Sequence, residues 1–143
     1  MQGTPAFTDR PNEYEAERAS NSYLMALVAL MVGLPLPVIN LIATGIFFFS
    51  NRKASHFVRW HCTQALLAQA FTLVINVCGV YWTISVAFGN GHVTNDYLAY
   101  ILTIVLFNLI EFIATMYTAI QTRKGYHVSW YFFGTLTDAL VGR

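Results

Sequence analysis

Residues 60–88, WHCTQALLAQAFTLVINVCGVYWTISVAF, contain no Asp, Glu, Lys or Arg. At a rise of about 1.5 Å per residue, a helix of this length is long enough to cross the hydrocarbon layer of a membrane, which is about 30 Å thick. Over the whole chain, 56% of the residues are hydrophobic and 10% are charged, whereas soluble domains have about 25% charged residues. We therefore predict an all-α integral membrane protein, built as a helical bundle.

Two further apolar segments flank this one, so the bundle is predicted to contain three long apolar segments. The third runs from about Tyr97 to Gln121, and Glu111 is its only charged residue. Between the second and third lies the turn GNGHVTND (89–96), whose glycines and asparagines adopt left-handed backbone angles at low cost. The aromatic segment that follows Gly125 predicts a short C-terminal helix lying in the membrane interface.

The first apolar segment, YLMALVALMVGLPLPVINLIATGIFFF (23–49), is broken at GLPLP (33–37). Each proline there removes a backbone donor and disfavours helical angles in the residue before it. Two arrangements satisfy this pattern. One is a helical hairpin with arms of about Ser20–Leu34 and Pro37–Ser50, which gives four helices and an N-terminus inside. The other is a single kinked span, which places the N-terminus outside.

Lysine and arginine in the short loops predict the orientation of the spans. Arg52, Lys53 and Arg59 precede the second segment, Arg123 and Lys124 follow the third, and the turn between the two segments has neither residue type. Short loops rich in Lys and Arg stay in the cytoplasm. Both basic loops are therefore predicted to be cytoplasmic.

The domain organisation follows from the contrast between the polar N-terminus and the rest. Residues 1–22 are predicted to be a polar N-terminal arm and residues 23–143 a single transmembrane helical domain. HExxH, GxSxG, P-loop and GxGxxG motifs do not occur, so we assign no catalytic, cofactor-binding or metal-binding residues. The predicted partners are the lipid bilayer and other membrane-protein helices, in a homo- or hetero-oligomer, and no nucleic acid.

Polar side chains inside the apolar segments are candidates for function. Their i, i+3, i+4 spacing places them on one face of each helix, where they either bond neighbouring helices or line a wet path. Glu111 is ionisable and lies near the middle of a span, so it requires protonation, a partner or water. We expect the partner to be Asn76, Asn40 or a second copy of the chain. The intramembrane candidates are Glu111, Asn108, Asn76, Asn40 and Gln69.

A second group of candidates lies at the cytoplasmic mouth of the second helix. Its cations are suited to anionic lipid head groups, Trp60 to the membrane interface, and His61 and Gln64 to polar partners just inside. This mouth motif consists of Arg52, Lys53, Arg59, Trp60, His61 and Gln64.

The stretches NRKASHFVRWHCTQALLAQ (51–69) and RKGYHVSWYFFG (123–134) resemble the Tic-twenty family, which includes a chloroplast protein-import subunit and small bacterial membrane proteins. The proline usual in the second stretch is absent here, with Ser129 nearby. The resemblance implies four transmembrane helices, both termini inside, and a multi-pass protein of the bacterial inner membrane.

Two functions follow from these patterns. The first is a non-enzymatic subunit of a membrane complex, which the resemblance links to protein translocation. The alternative is a small oligomeric channel or transporter whose polar path includes Glu111.

Overall fold

The structure is a computed structural model that describes residues 11–33, 37–89 and 91–142. Its helices are α1 (Glu13–Gly33), α2 (Pro37–Ser50), α3 (His56–Phe88), α4 (Asn95–Arg123) and α5 (Tyr131–Val141). No strand occurs in the described ranges, so the all-α prediction is confirmed. By length and composition, α3 with 33 residues and α4 with 29 residues are each able to cross a membrane.

The N-terminus of α1 is fixed by a pair of reciprocal hydrogen bonds. The Asn12 backbone N–H donates to Glu15 Oε2 at 3.1 Å, and the Glu15 backbone N–H donates to Asn12 Oδ1 at 2.8 Å. Such a capping box satisfies backbone donors that a helix start leaves unpaired. The helix therefore begins earlier than the predicted hairpin arm, and the predicted boundary between residues 22 and 23 falls inside it.

The two helices of the first apolar segment lie side by side. α1 packs against α2, and both pack against α3, while α1 also packs against α4. The break GLPLP is only partly visible, because residues 34–36 lie outside the described part of the chain. Packing of α1 on α2 is the geometry of the hairpin alternative, since the two halves of a kinked span would meet only end to end.

The protein core lies at one end of the long helices. One buried apolar cluster joins Ala19 of α1 with Phe57 and Val58 of α3, and another joins Tyr23, Ala65 and Ala119. The Ser20 hydroxyl donates to the Ala119 carbonyl at 2.8 Å, which fixes α1 against the last part of α4. Helix α5 closes this end by packing against α3.

The other halves of α3 and α4, which we call the outer halves, extend away from this core. Of the α3 residues beyond Thr72, only Gly79 is buried, and no α4 residue before Glu111 is buried. A Cβ atom at Gly79 would overlap the Ile104 side chain, so the glycine permits α4 to approach. The exposed large apolar side chains of these halves are Phe71, Val74, Val77, Val80, Tyr81, Trp82, Ile84 and Phe88 on α3, and Leu98, Leu102, Val105, Leu106, Leu109 and Ile110 on α4.

Candidate functional sites

A buried polar cluster joins α1 to the start of α3. Gln64 Nε2 donates to the Tyr23 hydroxyl at 2.8 Å, and the same hydroxyl lies 2.8 Å from His61 Nδ1. The hydroxyl accepts from Gln64, and it donates to or accepts from Nδ1 according to the tautomer of His61. All three side chains are fully buried. The geometry thus assigns His61 and Gln64 of the mouth motif to the protein interior.

Gln64 also fixes the segment that connects α4 to α5. Its Nε2 atom donates a second hydrogen bond to the Val128 carbonyl at 3.1 Å, and its Oε1 accepts from the Trp130 backbone N–H at 3.0 Å. The Trp130 indole N–H in turn donates to Thr118 Oγ1 at 2.8 Å. One amide side chain therefore connects α1, α3 and the segment before α5, and we call Tyr23, His61, Gln64, Val128 and Trp130 the Gln64 network.

Trp60 lies beside this network and is buried, although the sequence predicts an interfacial position for it. Its indole N–H donates to Asp138 Oδ1 on α5 at 2.7 Å. Its ring packs on His127 with centroids 4.2 Å apart, and the His127 ring lies 5.2 Å from that of His61. Trp60 thus packs inside the protein, because α5 folds back over the start of α3.

The cations of the mouth motif lie on the surface around this cluster. Arg52, Lys53 and Arg59 are all exposed. Arg123, at the end of α4, lies 3.7 Å from Glu17 of α1 in an exposed ion pair. Such pairs contribute little to stability, but this one places the first turns of α1 beside the basic end of α4.

The stability of this end should depend on pH through His127. Burial lowers the pKa of His127 from its ordinary value of 6.5; the Asp138 carboxylate opposes the shift and His56 reinforces it. The unfolded chain therefore binds the proton more readily than the folded protein, so the stabilisation is full above the unfolded pKa and is lost as the pH falls below it. We expect the melting temperature in detergent to fall with acidification less steeply for His127→Gln than for the wild type. Parallel profiles would contradict this assignment.

Glu111 lies on α4 facing α3 and is 6% exposed. Gln69 Nε2 donates to Glu111 Oε1 at 3.0 Å, and Thr72 Oγ1 donates to Glu111 Oε2 at 2.6 Å. The structure therefore brings together two predicted site residues, Glu111 and Gln69, and adds Thr72.

Asn76, one of the three partners expected for Glu111, pairs with another residue. The antiparallel register of α3 and α4 places Asn76 opposite Asn108 instead, and the two amides exchange hydrogen bonds of 3.1 and 2.8 Å. The side chain of Asn40 lies outside the described residues. Gln69, Thr72, Asn76, Asn108 and Glu111 together form a row of polar contacts, which we call the α3–α4 seam.

The chemistry available at both sites is hydrogen bonding and charge. Among the described residues, no group of three or more His, Cys, Asp or Glu side chains is placed to hold a metal ion. Sequence reasoning did not identify Tyr23, His127 or Trp130 as site residues. The signal available for them was weak, since each is an aromatic or His residue near the end of an apolar segment, where such residues are common.

Comparison with known proteins gives one result. No curated protein and no solved structure matches the chain. A family model described as the magnetosome magnetite crystal formation protein family matches residues 19–134.

This range contains both stretches, 51–69 and 123–134, on which the resemblance to the Tic-twenty family was based. That resemblance is wrong, and the link to protein translocation loses its support with it. Because the match covers most of its 143 residues, the chain belongs to the MamF/MmsF family, the magnetosome magnetite crystal formation protein family.

Proposed function

We propose that this protein is a non-enzymatic integral membrane protein of the magnetosome membrane and acts in magnetite crystal formation. Family membership supports the process and the compartment. The membrane location is supported by the outer halves of α3 and α4, whose apolar side chains are exposed over most of their length. Soluble proteins rarely expose apolar surface this continuously, whereas in a bilayer it contacts lipid or other helices.

The orientation we propose places both basic loops in the cytoplasm. Arg52, Lys53, Arg59 and Lys124 are exposed at the core end of the molecule, where short loops rich in Lys and Arg remain inside. The contact between Glu17 and Arg123 brings the start of α1 to the same end, which favours an N-terminus inside. α3 and α4 then cross the bilayer, and the turn between them lies on the opposite side.

Within the membrane the protein acts as a structural subunit in this proposal. Its partners are lipids and the helices of other membrane proteins, in a homo- or hetero-oligomer. The core end is closed by the Gln64 network, while the outer halves of α3 and α4 keep their apolar surface available for packing. In lipid, helices associate through packing and interhelical hydrogen bonds. The division into an N-terminal arm, 1–22, and a membrane domain, 23–143, stays a prediction.

Genetic complementation tests the proposed function. We expect deletion of the gene in a magnetosome-forming bacterium to change the size or number of magnetite crystals seen by electron microscopy. The wild-type gene and a Gln121→Leu variant should restore normal crystals, since the Gln121 side chain makes only an exposed bond to Tyr117. A Gln64→Leu variant should not restore them, because it disrupts the buried network. Normal crystals in the deletion strain would refute the proposal.

A second function, a small channel or transporter, is favoured by the α3–α4 seam alone. The seam places Asn76, Asn108 and Glu111 in a row, and the Tyr97 hydroxyl continues it by donating to Thr83 Oγ1 at 3.2 Å. Cation flux through the purified protein in liposomes, lost in Glu111→Gln, would support this function. Absence of flux in the wild type would leave the structural function alone.

A further inference from the structure

We propose that Glu111, Gln69 and Thr72 form a binding site for one small monovalent cation, a proton or Na⁺, between α3 and α4. All three side chains are buried, with exposed fractions of 6%, 4% and 3%. The carboxylate lies 3.0 Å from Gln69 Nε2 and 2.6 Å from Thr72 Oγ1. This inference goes beyond the proposed function, because a structural subunit does not require a cation inside the membrane.

The first argument is the charge of the site. A carboxylate within an apolar span is costly unless a positive charge or a proton neutralises it. Among the described residues, the ion pair found is that between Arg123 and Glu17, at the core end. The charged residues of the described helices packed against this region lie near helix ends; they are Glu13, Glu15, Glu17 and Arg18 on α1, Arg59 on α3, Asp96 and Arg123 on α4, and Asp138 on α5.

The positive charge that neutralises the Glu111 carboxylate therefore comes from a bound cation and not from a Lys or Arg side chain of the described residues. One carboxylate neutralises one positive charge. A divalent ion at this position would leave a net charge in the membrane interior, which restores the cost that binding is meant to remove. The charge of the site thus selects a monovalent cation.

The second argument is an oxygen atom without a hydrogen bond. Gln69 Oε1 is buried and has no hydrogen-bond partner among the described residues, although it belongs to the amide group that contacts Glu111. The oxygen and nitrogen of an amide exchange places when the group rotates by half a turn. In that orientation Gln69 Oε1 faces the carboxylate, and Thr72 Oγ1 adds a third oxygen ligand from the same turn of α3.

This set of oxygens suits both forms of the cation. Carboxylate, carbonyl and hydroxyl oxygens are the ligands preferred by hard cations such as Na⁺. A proton would instead reside on Glu111 and be donated to Thr72 Oγ1, whose distance of 2.6 Å lies within the range of O–H···O hydrogen bonds. The shared chemistry is a positive charge held by Glu111 and at least one α3 oxygen.

Carbodiimide labelling tests the proposal with the full-length protein in lipid vesicles. Dicyclohexylcarbodiimide, an apolar reagent, adds across its C=N bond to a protonated carboxyl group, and fragmentation mass spectrometry locates the adduct. We expect an adduct on Glu111 that forms more slowly as the pH is raised. If the site also binds Na⁺, NaCl should slow labelling relative to choline chloride at equal ionic strength. If it binds only the proton, the two salts should give equal rates. The proposal is overturned if Glu111 is not labelled, or if labelling depends on neither pH nor Na⁺.

Two matched variants show whether Gln69 takes part. Gln69→Leu removes a donor to the carboxylate, so the midpoint of the pH dependence should move upward. It also removes a ligand, so any Na⁺ protection should need about tenfold more Na⁺, equivalent to about 1.4 kcal/mol. Gln121→Leu is the same change at an exposed bond on α4, and it should alter neither value. Identical behaviour of Gln69→Leu and the wild type would contradict the three-residue site.

Discussion

Replacing Gln64 by Leu should lower the free energy of unfolding by about 3–5 kcal/mol, because two buried backbone groups lose their partner at a cost of about 1–3 kcal/mol each and a third hydrogen bond is lost with them. The backbone groups are the Val128 carbonyl and the Trp130 N–H. The third bond is that to the Tyr23 hydroxyl. Denaturant or thermal unfolding in detergent, followed by circular dichroism, measures the difference.

Gln121→Leu is the control for this prediction. The Gln121 side chain donates to the Tyr117 hydroxyl at 3.2 Å on the exposed side of α4, where a substitution is expected to change stability by no more than about 0.5 kcal/mol. An equal loss in both variants would show that the change from amide to Leu, and not the Gln64 network, determines the result.

Gly134→Ala should destabilise the protein by about 1–3 kcal/mol, the usual cost of inserting a methyl group into a filled core. A Cβ atom at Gly134 would overlap the Ser129 side chain and lie 3.4 Å from Gln64 Oε1. Rotation of the Ser129 side chain would relieve its Oγ contact, but Ser129 Cβ would still lie 3.1 Å away, so the segment that Gln64 holds has to shift slightly. The melting temperature should fall in the same assay.

Gly45→Ala is the matched control, because it is the same substitution in another helix. A Cβ atom at Gly45 would have its nearest neighbour, Leu66 Cδ1, at 4.0 Å, an ordinary contact. Alanine in a helix interior is more stable than glycine by about 0.5–1 kcal/mol, so this variant should melt at or above the wild-type temperature. A comparable loss in both variants would contradict the packing argument for Gly134.

The long helices were predictable from sequence because their limits are set locally. The glycine-rich turn and the third apolar segment place the end of α3 and both ends of α4 within about two residues of those observed, the usual uncertainty of helix ends, whereas the charge-free segment begins four residues after the start of α3. The start of α1 at Glu13 lies before the predicted hairpin arm, which begins at about Ser20. It depends on the reciprocal bonds of Asn12 and Glu15, a pair at the spacing of a capping box.

The site was predictable only in part. Helical periodicity identified Gln69, Asn76, Asn108 and Glu111 as polar faces, but their pairing depends on the register of two helices, which is set by the turn between them. Asn76 therefore contacts Asn108 and not Glu111. The family resemblance failed for a different reason. Basic residues, aromatic residues and a Gln at the mouth of a span serve anchoring in many membrane proteins, so short motifs of this kind identify the location more reliably than the family.

The Gln64 network also determines the order in which the chain can become native during synthesis. Ribosomes deliver the N-terminal part first, whereas the partners of Gln64 at Val128 and Trp130 lie 64 and 66 positions later in the chain. The acceptor of the Ser20 hydroxyl, the Ala119 carbonyl, is also translated late, 99 positions after Ser20. The first three helices thus leave the ribosome with the bonds among Tyr23, His61 and Gln64 available, but without the partners that Ser20 and Gln64 find after residue 118. The last translated segment completes the fold, and a chain released before it would lack the contacts that join α1 and α3 to the end of α4 and to α5.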